Sequence, residues 1–270
     1  PSIITMLTHP DSVDDNPLLT RLGYNDACVT FDTKPAVYLA LVLYFAVCYF
    51  IFVHVVCAIS RLEIENQGRL VSMPRGWRWF CNLSNAMYGV SAMAFSLVFM
   101  IPPTESVWLH SIFFVFLMIF RYSAFCAAFV EHMFKTSASD SNLEQAESNF
   151  QQNMKYGSKR FMTLYGIATF AAPVCWFMCY AEYDRVCEGV PEGECSDYQF
   201  PVPPALTAFF DYTWFVCLPL SPIFLPPNFL KPETMLLKYQ PGLMFDNTAG
   251  LWAVQRNVGV AGEEEDEEEI

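Results

Sequence analysis

The side chains that could do chemistry in this chain are few, and they sit in apolar surroundings. His54, His110, Arg121 and Asp211 lie well inside long hydrophobic stretches, with Asn85 as a polar companion and Glu131, His132 and Glu182 at stretch ends. An ionisable group in a hydrocarbon setting is costly and needs a partner, so each is a candidate functional residue. A helical rise of 1.5 Å per residue puts His110 about 5 Å and Asp211 about 10 Å from the outer end of a span. Arg121 then lies at about 20 Å and His54 at nearly 30 Å. These depths predict two pairings: His110 with Asp211 near the outer surface, and Arg121 with Asn85 and Tyr88 in the inner half.

Such groups either satisfy one another as interhelical glue or line a polar pathway. Glue is the expectation, because a proton or ion pathway wants acids at several depths and Asp211 is the one carboxylate well inside a stretch. Two axial haem histidines must face each other at one depth. His54 and His110 differ by more than about 20 Å, which argues against haem. Cys175 and Cys179 lie one turn apart on a helix face but have no companion at metal-site spacing, so packing is expected of them. No Ser-His-Asp, P-loop, zinc or paired-carboxylate motif stands out. The chain is therefore expected to be non-catalytic, without catalytic, cofactor or metal residues, and with bound lipids rather than a cofactor.

The elements that must position these groups are five apolar stretches, over 35–59, 81–101, 107–131, 161–182 and 205–225. Each is about 20 residues or longer, which an α-helix needs to cross about 30 Å of hydrocarbon. A content of 54% hydrophobic and 16% charged residues is unusual for a soluble chain. The fold expected is an all-α membrane protein: a bundle of five transmembrane helices with a polar N-terminal segment and an acidic C-terminal tail. Residues 1–34 form the outer segment, 35–227 the five-helix domain and 228–270 the inner segment. Pro219, Pro222, Pro226 and Pro227 should break or kink the end of the fifth span. A short capped helix is expected where Ser-Ala-Ser-Asp-Ser-Asn-Leu-Glu opens the polar segment before the fourth span. The inverted repeat of many transporters is missing.

Loop charge gives these spans a direction. Arg61, Arg69, Arg75 and Arg78 lie between the first and second spans, and Lys135, Lys155, Lys159 and Arg160 between the third and fourth. The alternate segments hold only Arg21, Lys34 and Arg185. Positive residues stay inside, so the basic loops and the C-terminus are expected on the cytoplasmic or matrix side, and the N-terminus on the non-cytoplasmic or intermembrane-space side. Trp77, Trp79 and Trp108 suit an interfacial belt. Residues 1–34 lack the basic start and short apolar core of a signal peptide.

Cys187 and Cys195 bracket a turn-rich acidic loop on the outer side, where a disulfide is possible; Cys28 is the competing partner. Net charge is −13, with seven acids in Glu263–Glu269. The tail 263–270 is expected to be a solvated end, or else a docking site for a basic partner. Nucleic acid is not an expected partner.

Thr8-His9-Pro10-Asp11 precedes the polar outer segment, Val107-Trp108-Leu109-His110 opens the third span, and Asp211-Tyr212 stands in the fifth. In this order of features the chain resembles the damage-regulated autophagy modulator superfamily over about residues 8–230. That family tends to have Glu-Trp in place of Asp211-Tyr212 and usually has six spans, so this chain would lack the first. The resemblance implies an endomembrane role in lipid handling or autophagy regulation. The residues themselves favour an accessory subunit of a larger membrane complex, such as a respiratory-chain assembly of the mitochondrial inner membrane. A small-solute transporter is the third reading. Membrane lipids and other membrane subunits are the expected partners.

Overall fold

Asn16 and Pro17 open the first element. The computed structural model of the protein describes residues 5, 7, 16–26, 29, 34–67, 73–139, 156–191, 194–225, 243–246 and 251–254. The Asn16 side chain accepts from the Leu19 N–H at 2.8 Å, and Pro17 supplies the fixed φ of a first helical residue. The helix they start, α1 (Pro17–Leu22), ends at Gly23, whose φ of 76° lets its N–H reach back to Leu19 O. α1 buries Leu18 and Leu22 against the end of the bundle that loop charge predicts to be outer, and the two ends are named outer and inner in that sense.

The bundle follows as α2 (Ala36–Gln67), α3 (Arg75–Phe95) with a 3-10 turn over Ser96–Phe99, α4 (Val107–Ser139), α5 (Tyr156–Val186) and α6 (Pro204–Leu220) with a second 3-10 turn over Ser221–Phe224. Among the described residues, four helical stretches are long and apolar enough to cross a membrane: Ala36–Glu63, Val107–Phe134, Ser158–Val186 and Pro204–Phe224. These are the features of a multi-pass membrane protein. The expected span 81–101 is present as α3 and its 3-10 turn but falls outside that set, so length and hydropathy support four spans rather than five. The cause is the polar content of α3, and that polar content faces inward. Ser84, Asn85 and Ser91 are buried while Leu83, Val90 and Met93 are exposed. A helix with its polar face inside and apolar face outside is the reverse of a soluble amphipathic helix.

Neighbouring helices run antiparallel, and specific contacts fix their register. Along α2 and α3, Tyr44 packs on Phe95 and Phe99, Val55 meets Gly89, and Asn82 bonds Glu63 at 2.8 Å. Along α3 and α4, Phe95 packs on Phe114 and the Cys81 thiol donates to Ala127 O at 3.6 Å. Along α4 and α5, Trp108 stacks on Phe177, Tyr122 donates to Met162 O, and Phe125 packs on Phe161. Phe114, Trp176 and Trp214 pack together at the centre, with Phe114 joining α5 to α6. α6 passes into its 3-10 turn just after Pro219, and Phe224 in that turn stacks on Phe161 at 4.1 Å between ring centroids.

Cys187 and Cys195 are joined by a disulfide that closes the loop after α5. Residues Lys231–Ile270 form a separate unit, whose described part is an antiparallel hairpin of β1 (Leu243–Asp246) and β2 (Leu251–Val254). Among the described residues it departs from the expected all-α character. Ser137–Ser139, the opening of the expected capped helix, instead continue α4, while the rest of that stretch, Cys28, the Thr8–Asp11 stretch and the tail 263–270 lie outside the described residues.

Gly23 is the joint between α1 and the bundle, because a Cβ there would meet Pro204 Cγ at 2.6 Å as well as having an unfavourable φ. Gly23→Ala should lower stability by roughly 1–2 kcal/mol from the backbone alone, with the clash adding to it. Gly76→Ala, where a Cβ meets nothing within 4 Å, should be neutral or slightly stabilising. Thermal unfolding in detergent compares the two, and equal midpoints would contradict this joint.

Candidate functional site

The buried polar groups gather in two clusters, one at each end of the bundle. At the outer end Asp211 is fully buried. Its expected partner is His110, but its actual partner is Tyr24. The Tyr24 hydroxyl donates to Asp211 Oδ2 at 3.2 Å and accepts from Trp176 Nε1 at 3.0 Å. Tyr24 stands just behind α1, in the segment that packs on this end of the bundle. The Tyr212 hydroxyl fastens the same segment by donating to Asn25 O. Burial pushes the Tyr24 phenol far above its usual range, and the neighbouring Asp211 and Asp26 charges push it the same way. Tyr24 therefore stays a neutral donor at any physiological pH.

His110 turns the other way. Its Nδ1–H donates to Ile101 O at 2.8 Å. That carbonyl lies just past the 3-10 turn that ends α3, where helix carbonyls lose their partners, so His110 pins the α3–α4 connection. The expected His110–Asp211 pair is not formed. Around this end Arg21 bridges Asp184 at 2.6 Å, Trp108 Nε1 donates to the other Asp184 oxygen at 2.7 Å, and Tyr198 donates to Arg21 O at 2.6 Å. The outer cluster thus holds the N-terminal cap, α5 and α6 together.

The inner cluster is built differently. Arg121 of α4 donates to Ser221 Oγ at 2.8 Å and lies over the Tyr88 ring at 5.0 Å. The Tyr88 contact is as the depths predict, but the Asn85 contact is not. Asn85 donates back to Cys81 O, one turn earlier on its own helix. Arg121 Nε is buried with no acceptor. His54 joins Arg121 on the wall of a crevice of about 270 Å³, along with Tyr88, Phe50, Pro222 and Leu225. Above it lies an apolar crevice of about 340 Å³, lined by Leu43, Tyr44, Phe99, Phe114 and Trp214. Val47 lines both. Glu131 of α4 is 3% exposed and accepts from Arg61 of α2, from Nε at 2.9 Å and from one terminal guanidinium nitrogen at 2.8 Å.

Cys175 and Cys179 are both buried free thiols in α5. Among the described residues no group of three or more His, Cys, Asp or Glu side chains could hold a metal ion. Tyr24 and Ser221 were not legible as site residues. Tyr24 lies 152 and 187 positions before its two partners, in a polar segment outside every span, and no spacing links them. Ser221 sits among prolines that signal only a helix end. No protein-family model, curated protein or solved structure matches the chain.

Tyr24 is the hub of the outer cluster. Tyr24→Phe and Asp211→Asn should each cost about 1–3 kcal/mol by leaving a buried group unpaired. The double variant should deviate from additivity by at least about 0.5 kcal/mol. Denaturation of the four proteins in one detergent measures this, and strict additivity would show that the hydroxyl and carboxylate do not interact.

Proposed function

We propose that the chain is a non-catalytic, five-span membrane protein that serves as an accessory subunit of a larger membrane assembly, with a respiratory-chain assembly of the mitochondrial inner membrane as its setting. α3 is taken as the fifth span for two reasons. Its apolar face points outward, and it lines α2 from Tyr44 to Glu63 and α4 from Phe114 to Ala127. Loop charge directs the N-terminus outward and the C-terminus inward.

The observation that carries the accessory role is Tyr49. Only 17% of the most apolar stretch of α2 is buried, against 44% and 50% in α4 and α5. Tyr38, Val42, Phe45, Tyr49, Phe52 and Val56 recur on its exposed face at alternating spacings of four and three. Tyr49 lies about 20 Å along the helix, near the middle of a bilayer. It is 64% exposed. A phenol hydroxyl facing hydrocarbon without an acceptor is costly, and lipid tails supply none. A neighbouring subunit's helix would.

A second reading, lipid handling in an endomembrane as in the family the sequence resembles, is favoured by the two crevices beside α2. It places the groove near Arg121 rather than at His110 and Asp211, which are enclosed.

Native gels in mild detergent test the accessory role. Wild type should co-migrate with an assembly much larger than itself. The Tyr49→Ala, Phe52→Ala double variant should leave that assembly while keeping its helical circular dichroism. A wild-type protein that runs alone as a monomer or small oligomer would refute the reading.

A further inference from the structure

Arg121 is a permanent cation, because a guanidinium does not lose its proton in proteins. Its described contacts are a neutral hydroxyl and an aromatic face. Glu131, on the same helix, is held by Arg61 on two oxygens. Arg121 therefore brings uncompensated charge to the crevice wall, and its Nε lacks an acceptor. Both features ask for an anion with several acceptor oxygens.

The position of Arg121 says where such an anion would come from. Arg121 lies 14 residues after Val107, or about 21 Å along α4. In a hydrocarbon core of about 30 Å that leaves roughly 9 Å to the inner edge. Tyr122 contacts Met162, so Lys159 and Arg160 lie about one turn beyond Arg121 toward the same side. Val47 borders both this crevice and the apolar crevice lined by Leu43, Tyr44, Phe99, Phe114 and Trp214, so the two lie side by side along α2. A charged end near the inner leaflet and an aromatic slot beside it match an amphiphile, not a free ion.

We propose that this crevice binds an anionic phospholipid of the inner leaflet, its phosphate on Arg121 and an acyl chain in the apolar slot beside α2. This goes beyond the accessory-subunit reading and does not depend on it.

Native mass spectrometry of the detergent-purified full chain tests the proposal, with phosphatidylglycerol, phosphatidylcholine and inorganic phosphate as probes. Phosphatidylglycerol adducts should persist where phosphatidylcholine and inorganic phosphate do not. Arg121→Gln should weaken phosphatidylglycerol binding about tenfold or more, and Arg121→Lys by less. Val47→Trp narrows the crevice without touching the guanidinium and should also weaken it. Equal retention of the two lipids overturns the proposal, as does unchanged binding in Arg121→Gln. Inorganic phosphate retained as well as phosphatidylglycerol would overturn the lipid assignment. If Arg121→Gln does not fold, Val47→Trp decides, and unchanged phosphatidylglycerol binding in that variant is contrary to the proposal.

Discussion

Hydrocarbon offers no hydrogen bonds, and the rest of this structure depends on that constraint. Each polar group carried into the bundle must find its partner within the protein. The inverted face of α3 is one consequence. Ser84, Asn85 and Ser91 turn toward α2 and α4 and leave Leu83, Val90 and Met93 outside. Small residues on that inner face let three helices approach closely enough for the Cys48 and Cys81 thiols to reach main-chain carbonyls of neighbouring helices. The covering of Asp211 is another. A carboxylate fully buried in α6 obliges the N-terminal segment to fold over it, and Tyr24 is the group that arrives.

The two ends of the bundle meet the constraint differently. At the outer end the polar groups are knitted to one another through Tyr24, Trp176, Asp184 and Arg21, and the Cys187–Cys195 disulfide closes the neighbouring loop. That end reads as a structural cap. At the inner end Arg121 and His54 face an open crevice, and α6 finishes in a proline-bounded 3-10 turn that leaves Ser221 as the contact for the guanidinium. Among the described residues, the charged groups that face an open crevice are therefore at that end, and the least buried apolar helix face lies along α2.

The long apolar stretches were legible in the sequence because length and hydropathy are local properties, and four helices fit both measures. α3 was harder, since hydropathy averages over a helix and cannot tell a polar face turned inward from one turned outward. The depths placed the contact of Arg121 with Tyr88 correctly because helix rise converts sequence to height. Height says nothing about azimuth, and so the expected pairs of His110 with Asp211 and Arg121 with Asn85 did not form. His110 found a carbonyl at a helix end and Asn85 found its own helix. Arg121 and His54 differ in nominal depth by about 10 Å, yet the packing of Val55 on Gly89 and of Arg121 on Tyr88 sets both at one level of α3 and on one crevice wall.

The proposed five-span bundle requires α3 to cross the membrane with its polar face inward. Single cysteines at Gly76 and Ser106, in a background lacking the free thiols, would report the two ends of α3 to an impermeant maleimide in sealed, right-side-out vesicles. Ser106→Cys should label and Gly76→Cys should not, with Asp197→Cys in the outer loop labelling like Ser106→Cys. Labelling of both ends of α3, or of neither, would contradict the crossing and with it the proposed count of five spans.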